Sequence, residues 1–376
     1  MSFRYAAGIN KPGFNPLAAQ TPTYTYYLNS WGNNSTYGQL GIGNTTSYSS
    51  PKQVGSLTDW ASAKPGTDHA VALKTDGTMW TWAQNQLGQL GLGNTTYYSS
   101  PKQVGALTTW AAVQGATYSC CAIKTDGTLW SWGSGNQGML GQGNTTNYSS
   151  PKQVGALTNW SKISGRGQLY GAIKTDGTLW TWGGGYGGAL GDGSTVTKSS
   201  PVQVGALTNW LNISAGNYQM GAVKTDGTLW TWGLNTTGQL GQGNTTNYSS
   251  PKQVGALTTW LNISAGTYHM LAIKTNGTIW VWGSGSFGAL GQGNLTSYSS
   301  PKQVGALTNW NKIGTGAYNC LVTNTSDQLW TWGRNSAGEL GLNISTYKTS
   351  SPQQVGSLTT WGSASGGNAF TLALSY

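Results

Sequence analysis

The chain repeats with a period of fifty residues, and the repeat breaks in the middle of a unit. The tryptophan that opens each unit stands first at Trp60. It recurs at Trp110, Trp160, Trp210, Trp260, Trp310 and, one residue late, at Trp361. The last unit runs only to Leu374, and its missing half is found in residues 24–54. Six whole units and two complementary halves make seven, and this division favours a closed ring over a linear array.

Each unit predicts four short β-strands, because runs of alternating apolar and polar residues are separated by clusters of Gly, Asn, Asp and Ser. No stretch sustains a helical period, and glutamate occurs once, at Glu339. In the second unit we place strands A to D at Trp110–Gln114, Tyr118–Lys124, Thr128–Gly133 and Pro151–Leu157. The Thr-Asp-Gly run between strands B and C predicts a tight hairpin turn.

These strands predict an all-β fold over residues 23–376, a seven-bladed β-propeller of four-stranded antiparallel blades. The proline that opens strand D fits an outer edge strand, because it has no N–H to donate. We expect the seventh blade to combine N-terminal strands C and D with C-terminal strands A and B. This pairing would close the ring without a covalent bond.

One stretch of each unit carries a distinctive motif. Residues 66–90 contain Gly-x-x-His-x-x-Ala-Leu-Lys-Thr-Asp-Gly, then Trp-x-Trp, and end in Gly-Gln-Leu, with Ala83 replacing the glycine that ends strand C. The motif recurs at residues 266–290, with Ile273 for Leu, Asn276 for Asp and Ala289 for Gln. Residues 23–376 thus resemble the regulator of chromosome condensation repeat. The resemblance implies a seven-bladed propeller, with functions that include nucleotide exchange on small GTPases, chromatin docking, inhibition of secreted β-lactamases and scaffolding.

Tryptophan is the main core residue that the composition offers. The chain has 20 Trp, all in repeat columns, and only 7% charged residues. Trp180 and Trp182 share one face of strand C, so we expect them to pack between neighbouring blades. We therefore interpret the tryptophans as core and not as a platform for stacking sugars.

The net charge of +10 comes largely from two repeat columns. The first column, before the B–C turns, is Lys74, Lys124, Lys174, Lys224 and Lys274. The second column, after the strand D proline, is Lys52, Lys102, Lys152, Lys252 and Lys302. We predict that these lysines are solvated, and that the protein binds no specific nucleic acid, because arginines and aromatics are not interleaved. The alternative is that the second column forms a weak anion-binding rim for an acidic polysaccharide or lipopolysaccharide.

The residues that commonly carry catalysis are sparse. His69 and His269 share one repeat column, and the variety of its other residues indicates a packing position. Those residues are Ser119, Leu169, Gln219, Asn319 and Phe370. The nine acidic residues form no paired or metal-binding spacing, and three cysteines cannot make a disulfide framework. We predict a non-enzymatic protein without cofactor or metal.

Differences between the units are concentrated in the A–B loops and in the first residues after strand C. Both connections emerge on the same face of a propeller, and loops on a repeated scaffold commonly carry function. This face is therefore the predicted recognition surface, and neutral drift in tolerant loops is the alternative. The candidate contacts are Tyr118, Arg166, Tyr218, Tyr268 and Tyr318.

Residues 1–22 form a separate segment, which we predict to be an extended docking arm. It contains three prolines and the aromatic residues Phe3, Tyr5 and Phe14, and it is too short to build a core. It lacks the apolar core of a signal peptide, and the chain has no stretch long enough to insert into a membrane. Its sequence resembles the N-terminal leaders of structural proteins from marine bacteriophages.

These features together predict a virion display protein, made in the host cytoplasm and exposed on the virion surface as a capsid decoration or tail-associated propeller. Residues 1–22 would bind other virion proteins, and the loop face would contact a host-surface glycan or protein. The alternative is a soluble protein-binding or inhibitory propeller. A GTPase exchange factor is less favoured, because no unit carries a long insertion.

Overall fold

The computed structural model describes residues 25–376. Within them the chain forms seven four-stranded antiparallel sheets, each ordered A-B-C-D. Blades 1 to 6 follow the chain from Trp60, and blade 7 combines its two ends. The all-β seven-bladed propeller predicted from the repeat is confirmed. The predicted arm, with Phe3, Tyr5 and Phe14, lies outside the described residues.

The strands of each blade follow one another in the order A to D. Blade 1 has Trp60–Pro65, His69–Lys74, Met79–Ala83 and Tyr98–Gln103. Blade 2 has Trp110–Gly115, Ser119–Lys124, Leu129–Gly133 and Tyr148–Gln153. Blade 3 has Trp160–Arg166, Leu169–Lys174, Leu179–Gly183 and Lys198–Gln203. Blade 4 has Trp210–Ala215, Gln219–Lys224, Leu229–Gly233 and Tyr248–Gln253.

Blades 5 to 7 follow the same plan. Blade 5 has Trp260–Ala265, His269–Lys274, Ile279–Gly283 and Tyr298–Gln303. Blade 6 has Trp310–Thr315, Asn319–Asn324, Leu329–Arg334 and Lys348–Gln354. Blade 7 has Trp361–Gly366, Phe370–Ser375, Tyr27–Gly32 and Tyr48–Thr58. Single 3₁₀ turns lie in three C–D loops, at Asn136–Gly138, Tyr186–Gly188 and Ser286–Gly288.

Strand D differs from its predicted bounds in blade 2. It begins at Tyr148 and ends at Gln153, whereas the sequence had suggested Pro151–Leu157. The last paired residue is Gln153, opposite Trp130, and the chain then turns at Gly155, whose φ is 59°, so that Leu157 is exposed. Strand D is nevertheless the outer strand of its blade, as the proline predicts.

The ends of the chain meet in blade 7, as expected from the divided repeat. Strand Tyr27–Gly32 pairs with Phe370–Ser375 over six consecutive residue pairs without a register shift. The side-chain amide of Asn29 also donates a 2.8 Å hydrogen bond to the hydroxyl of Ser375. Blade 7 therefore has the same A-B-C-D order as the six continuous blades.

The hydrophobic core lies between the blades. Each of seven buried clusters combines residues of two consecutive blades, and the cluster around Trp182, for example, joins blades 2 and 3. The last tryptophan of strand C is fully buried and donates its indole N–H to a carbonyl oxygen in the C–D loop of the preceding blade. These seven hydrogen bonds, of 2.9–3.1 Å, are made by Trp31, Trp82, Trp132, Trp182, Trp232, Trp282 and Trp332.

Repeated glycines allow the C–D loops to approach the next blade closely. Gly188 of blade 3 has φ of 84°, and a Cβ there would lie 2.5 Å from the Cα of Ser249 in blade 4. A side chain at this position would both strain the backbone and collide with a neighbouring main chain. The glycines of the repeat therefore set the spacing between blades.

The prediction that the lysines before the B–C turns are solvated is wrong for three of them, which are buried. Lys174, Lys224 and Lys274 are only 5–8% exposed. In blade 4 the ammonium group of Lys224 lies 4.8 Å from the ring centroid of Trp210 and 3.8 Å from that of Trp230. Strand pairing explains this burial, because Trp210 and Lys224 are cross-strand partners. The column thus forms cation–π contacts within the blades, and burial lowers the pKa of these lysines.

Candidate functional site

The A–B and C–D loops form one face of the ring, as the strand order requires. On this face a groove of about 950 Å³ crosses the loops of blades 3, 4 and 5 and reaches Tyr318 of blade 6. We call it the aromatic groove, and define it by its ring-bearing residues. They are Tyr186, Tyr218, Tyr268, Phe287 and Tyr318.

The rings of the groove contact one another in two groups. Tyr186 and Tyr218 meet edge to face, with centroids 5.2 Å apart. Phe287 contacts Tyr318 at 5.2 Å, and Tyr318 lies 6.5 Å from Tyr268. Tyr186 is 64% exposed, whereas the other four are half-buried. The rings are therefore held by their neighbours while part of their surface remains accessible.

The ring of Tyr318 packs against an ion pair between Arg334 and Glu339. The guanidinium of Arg334 lies 4.9 Å from the Tyr318 ring centroid, and its Nε donates a 2.7 Å hydrogen bond to Glu339. Glu339 is buried, and its other carboxylate oxygen accepts a hydrogen bond from the N–H of Ala337. Arg334 also donates to the carbonyl oxygen of Asn368. This network leaves Tyr318 preorganised at the edge of the groove.

Phe287 has an unusual backbone conformation. Its φ is 59° and its ψ 11°, in the left-handed region that bulky residues rarely adopt. Its ring also contacts Tyr347, which is 56% exposed, at 5.7 Å. Strained residues of this kind are concentrated at functional sites, where they direct a side chain.

The lining of the groove carries no charged side chain. Between the rings it offers hydroxyl and amide groups such as those of Gln168, Asn217, Thr237 and Ser284. Burial and the neighbouring tyrosines raise the pKa of Tyr268, so its hydroxyl keeps its proton and can donate. The groove can therefore hold apolar or aromatic groups and make neutral hydrogen bonds.

A belt of backbone hydrogen bonds joins most of the A–B loops. Loop N–H groups donate to the neighbouring loop at the junctions of blades 1–2, 2–3, 5–6, 6–7 and 7–1. On blade 4 the side-chain amide of Gln219 reaches the carbonyl oxygens of Gly266 and Thr267 in blade 5. Blade 4 lies under the centre of the aromatic groove, where the hydrogen bonds between the loops differ from those in the rest of the ring.

The structure brings three of the five predicted contact residues together. Tyr218, Tyr268 and Tyr318 line the aromatic groove, whereas Tyr118 is half-buried on blade 2, outside it. Arg166 instead lines the axial channel and its mouth. Tyr186 and Phe287 were not singled out from the sequence, although their segments were. The sequence does distinguish Tyr186 and Phe287, because both are aromatic in repeat columns whose other members are mostly small or polar.

The predicted anion rim lies on the outer strands. Each of its lysines is exposed and stands over a tyrosine ring of the same strand, at 4.1–5.4 Å from the centroid. The residues are Lys52, Lys102, Lys152, Lys252 and Lys302. Pairs of this kind at exposed sites contribute about 0.5–1 kcal/mol. Binding of an acidic polysaccharide or lipopolysaccharide by this rim stays a prediction.

The two histidines form equivalent buried contacts between blades. Nε2 of His69 lies 3.2 Å from Sγ of Cys120, and Nε2 of His269 lies 3.4 Å from Sγ of Cys320. Burial lowers the pKa of His69 to about 4 and of His269 to about 3. Burial also raises the pKa of both thiols, so these pairs are neutral and suit packing. Among residues 25–376, no group of three or more His, Cys, Asp or Glu side chains is placed to hold a metal ion.

No helix within residues 25–376 has the length and apolar character needed to cross a bilayer. The described chain is a propeller of closed radial blades, built from one repeated unit. This architecture defines a class of ring-shaped repeat proteins.

The repeat itself identifies the family. The profile of the regulator of chromosome condensation (RCC1) repeat matches residues 28–73, 76–123, 126–168, 176–223, 226–273, 276–323 and 326–374. A second profile of this repeat matches residues 260–289. The chain therefore belongs to the RCC1 repeat family. No curated protein sequence matches it.

Solved structures share this fold at low sequence identity. Prp20p from Saccharomyces cerevisiae is 18% identical, with a TM-score of 0.85 over 94% of this chain and 92% of that one. Human WBSCR16 is 19% identical, with a TM-score of 0.83 over 93% of this chain and 98% of that one. The structure of Kap60 bound to yeast RCC1 (Prp20) gives 18% identity and a TM-score of 0.83, over 100% and 96%. At these identities the likeness shows the fold alone.

Proposed function

We propose that this protein is a protein-binding propeller that recognises its partner through the aromatic groove. The observation that carries the proposal is the cluster of five rings on the face where the otherwise similar units differ. Tyrosine and other aromatic side chains are enriched at the energetic centres of protein interfaces. The uncharged lining suits an apolar or aromatic segment of a partner, flanked by neutral hydrogen-bonding groups.

The experiment selects ligands without choosing the site in advance. Peptides from a random library displayed on yeast are selected on the whole propeller, and their affinities are measured by calorimetry. The groove variant is Tyr218→Ala/Phe287→Ala, and the matched control is Tyr118→Ala, in the same repeat column as Tyr218 but outside the groove. We expect the groove variant to weaken binding about 30-fold or more, which corresponds to a loss of about 2 kcal/mol.

Equal binding to the wild type and the groove variant would refute the proposal, provided that both are folded by circular dichroism. Competition by neutral oligosaccharides for the groove would instead indicate the host-surface glycan considered from the sequence. Both outcomes can be distinguished with the same variants.

Partners of the similar structures provide two further tests. Prp20p was described with its binding to Gsp1p and histones. This chain has only nine acidic residues, of which five lie in B–C turns, so it presents little negative charge to a basic histone. Its C–D loops also carry no long insertion of the kind expected of an exchange factor. We therefore expect neither a small GTPase nor histones to bind the groove.

Attachment to a virion stays a prediction from residues 1–22, which lie outside the described residues. No observation on the described residues adds to it, and the same holds for a location on the virion surface. Deletion of residues 1–22 in the producing phage tests it. Loss of the propeller from purified particles, with the ring still folded, supports the prediction, whereas full incorporation contradicts it.

A further inference from the structure

The inner strands of all seven blades surround an axial channel, whose cavity is about 440 Å³. Three cationic side chains line this cavity, Lys64, Lys162 and Arg166. Its other polar groups are the neutral side chains of Ser, Thr, Asn and Gln. None of the nine acidic residues of the chain lines the cavity or its mouth. The channel therefore carries positive charge that the protein itself does not neutralise.

Two of the three cations have no internal partner. Lys162 donates from Nζ to the side-chain oxygen of Asn212 at 2.8 Å and to a backbone carbonyl oxygen. The side chains of Lys64 and Arg166, by contrast, make no hydrogen bond or ion pair with any residue of the described chain. Both are half-buried, and burial lowers their pKa, that of Arg166 to about 10. Partly desolvated charges without partners are unfavourable, and a counter-charge would relieve them.

Two serines that line the channel, Ser164 and Ser214, can donate hydrogen bonds. Oγ of Ser164 accepts a 2.9 Å bond from the N–H of Ala215, and Oγ of Ser214 accepts an equivalent bond from Ala265. Because a hydroxyl has one proton and two lone pairs, each serine still has its proton to donate. Both residues line the same cavity as the cations. Cationic donors and hydroxyl donors without a competing carboxylate are what an oxyanion requires.

We propose that the axial channel binds a small multivalent oxyanion, such as pyrophosphate or a short oligophosphate. A multivalent ion fits better than a monovalent one, because three cations from blades 1 and 3 face a single cavity. Arg166 also lines a second cavity of about 230 Å³ at the mouth, walled by glycines of the A–B loops, which gives access from the loop face. The mouth shares Asn217 and Tyr318 with the aromatic groove, but none of the three cations lines the groove, so the site does not depend on the proposed protein partner.

Titration calorimetry of the full chain with inorganic pyrophosphate and tripolyphosphate tests the proposal. We expect one ion per propeller. The variants are Lys64→Ser and Arg166→Ala, since Ser164 and Ala116 occupy the equivalent positions in other units. Loss of a charge-assisted hydrogen bond should weaken binding about 10-fold or more in each variant. An added nucleoside triphosphate shows whether the phosphate chain is taken up free or as part of a nucleotide.

The control is Lys52→Gln/Lys102→Gln, which removes two exposed lysines of the outer rim and lowers the net charge as much as the two channel substitutions together. We expect it to bind pyrophosphate with unchanged affinity. Thermal unfolding gives a second readout: pyrophosphate should raise the Tm of the wild type but not that of Lys64→Ser/Arg166→Ala, and without ligand the double variant should unfold at a higher temperature than the wild type. The proposal is overturned if pyrophosphate does not bind, or if the rim control weakens binding as much as the channel variants.

Discussion

The indole hydrogen bonds between blades make a quantitative prediction about Trp232. Its side chain is fully buried, and its Nε1 donates to the carbonyl oxygen of Ala189 in the preceding blade at 3.1 Å. The Trp232→Phe variant keeps an aromatic ring but removes this donor and part of the indole. A buried acceptor without a partner costs about 1–3 kcal/mol, and the small cavity adds about 1 kcal/mol. We therefore expect a loss of about 3 kcal/mol in the free energy of unfolding.

Trp230, two residues earlier on the same strand, is the matched control. It is half-buried, and its Nε1 donates to the hydroxyl of Thr228 at 2.9 Å within its own blade. That hydroxyl also donates to Asp226, so Trp230→Phe leaves it with a partner. We expect this variant to lose about 1 kcal/mol.

Urea unfolding followed by far-UV circular dichroism measures both variants. The midpoint should fall further for Trp232→Phe than for Trp230→Phe, with the same m-value as the wild type. Equal losses for the two variants would refute the reasoning, because they would show that the contact between blades contributes no more than the contact within one.

Three further predictions concern other repeated positions. His69 and His269 are neutral in the fold, but in the unfolded chain they take up protons below about pH 6.5. Stability should therefore be lost as the pH falls from about 6.5 towards about 4, by a few kcal/mol in denaturation experiments. Replacing both by Gln, which occupies this column as Gln219, should remove most of that loss, and an unchanged pH profile would contradict the assignment. Gly188→Ala should lower the Tm by several degrees, whereas Gly155→Ala, which meets no atom within 4 Å, should lower it less. Lys224→Ala should destabilise the fold by about 2 kcal/mol, more than Lys152→Ala at the exposed rim, and equal Tm shifts would argue against the buried cation–π contact.

The fold could be predicted from the sequence because the fifty-residue repeat aligns the strands of every unit. The divided unit predicted that the ring closes, and the proline of strand D predicted that this strand lies at the outer edge of its blade. The end of strand D was misplaced, because the strand pairs with strand C only as far as Gln153, opposite Trp130, and the sequence does not show where this pairing ends. Lys174 was expected to be solvated, since only the pairing of Trp160 with Lys174 shows that it lies over the indole rings.

The site was harder to predict than the scaffold. The column of Tyr118, Tyr218, Tyr268 and Tyr318 was visible in the sequence, but equal positions in the repeat do not share equal surroundings. Tyr118 remains outside the groove, since the preceding C–D loop has Gln86 and Leu87 at the positions of Tyr186 and Phe287, whose rings complete the groove farther along the ring. Such differences arise from contacts between blades, which a comparison of units does not show.

The closing of the ring across blade 7 is the foundation for both the groove and the channel, and hydrogen–deuterium exchange of the full chain tests it most directly. Amides paired between Tyr27–Gly32 and Phe370–Ser375 should exchange as slowly as those between strands B and C of blade 4. Exchange of these amides at the rate of the exposed loops, while blade 4 stays protected, would contradict a closed ring.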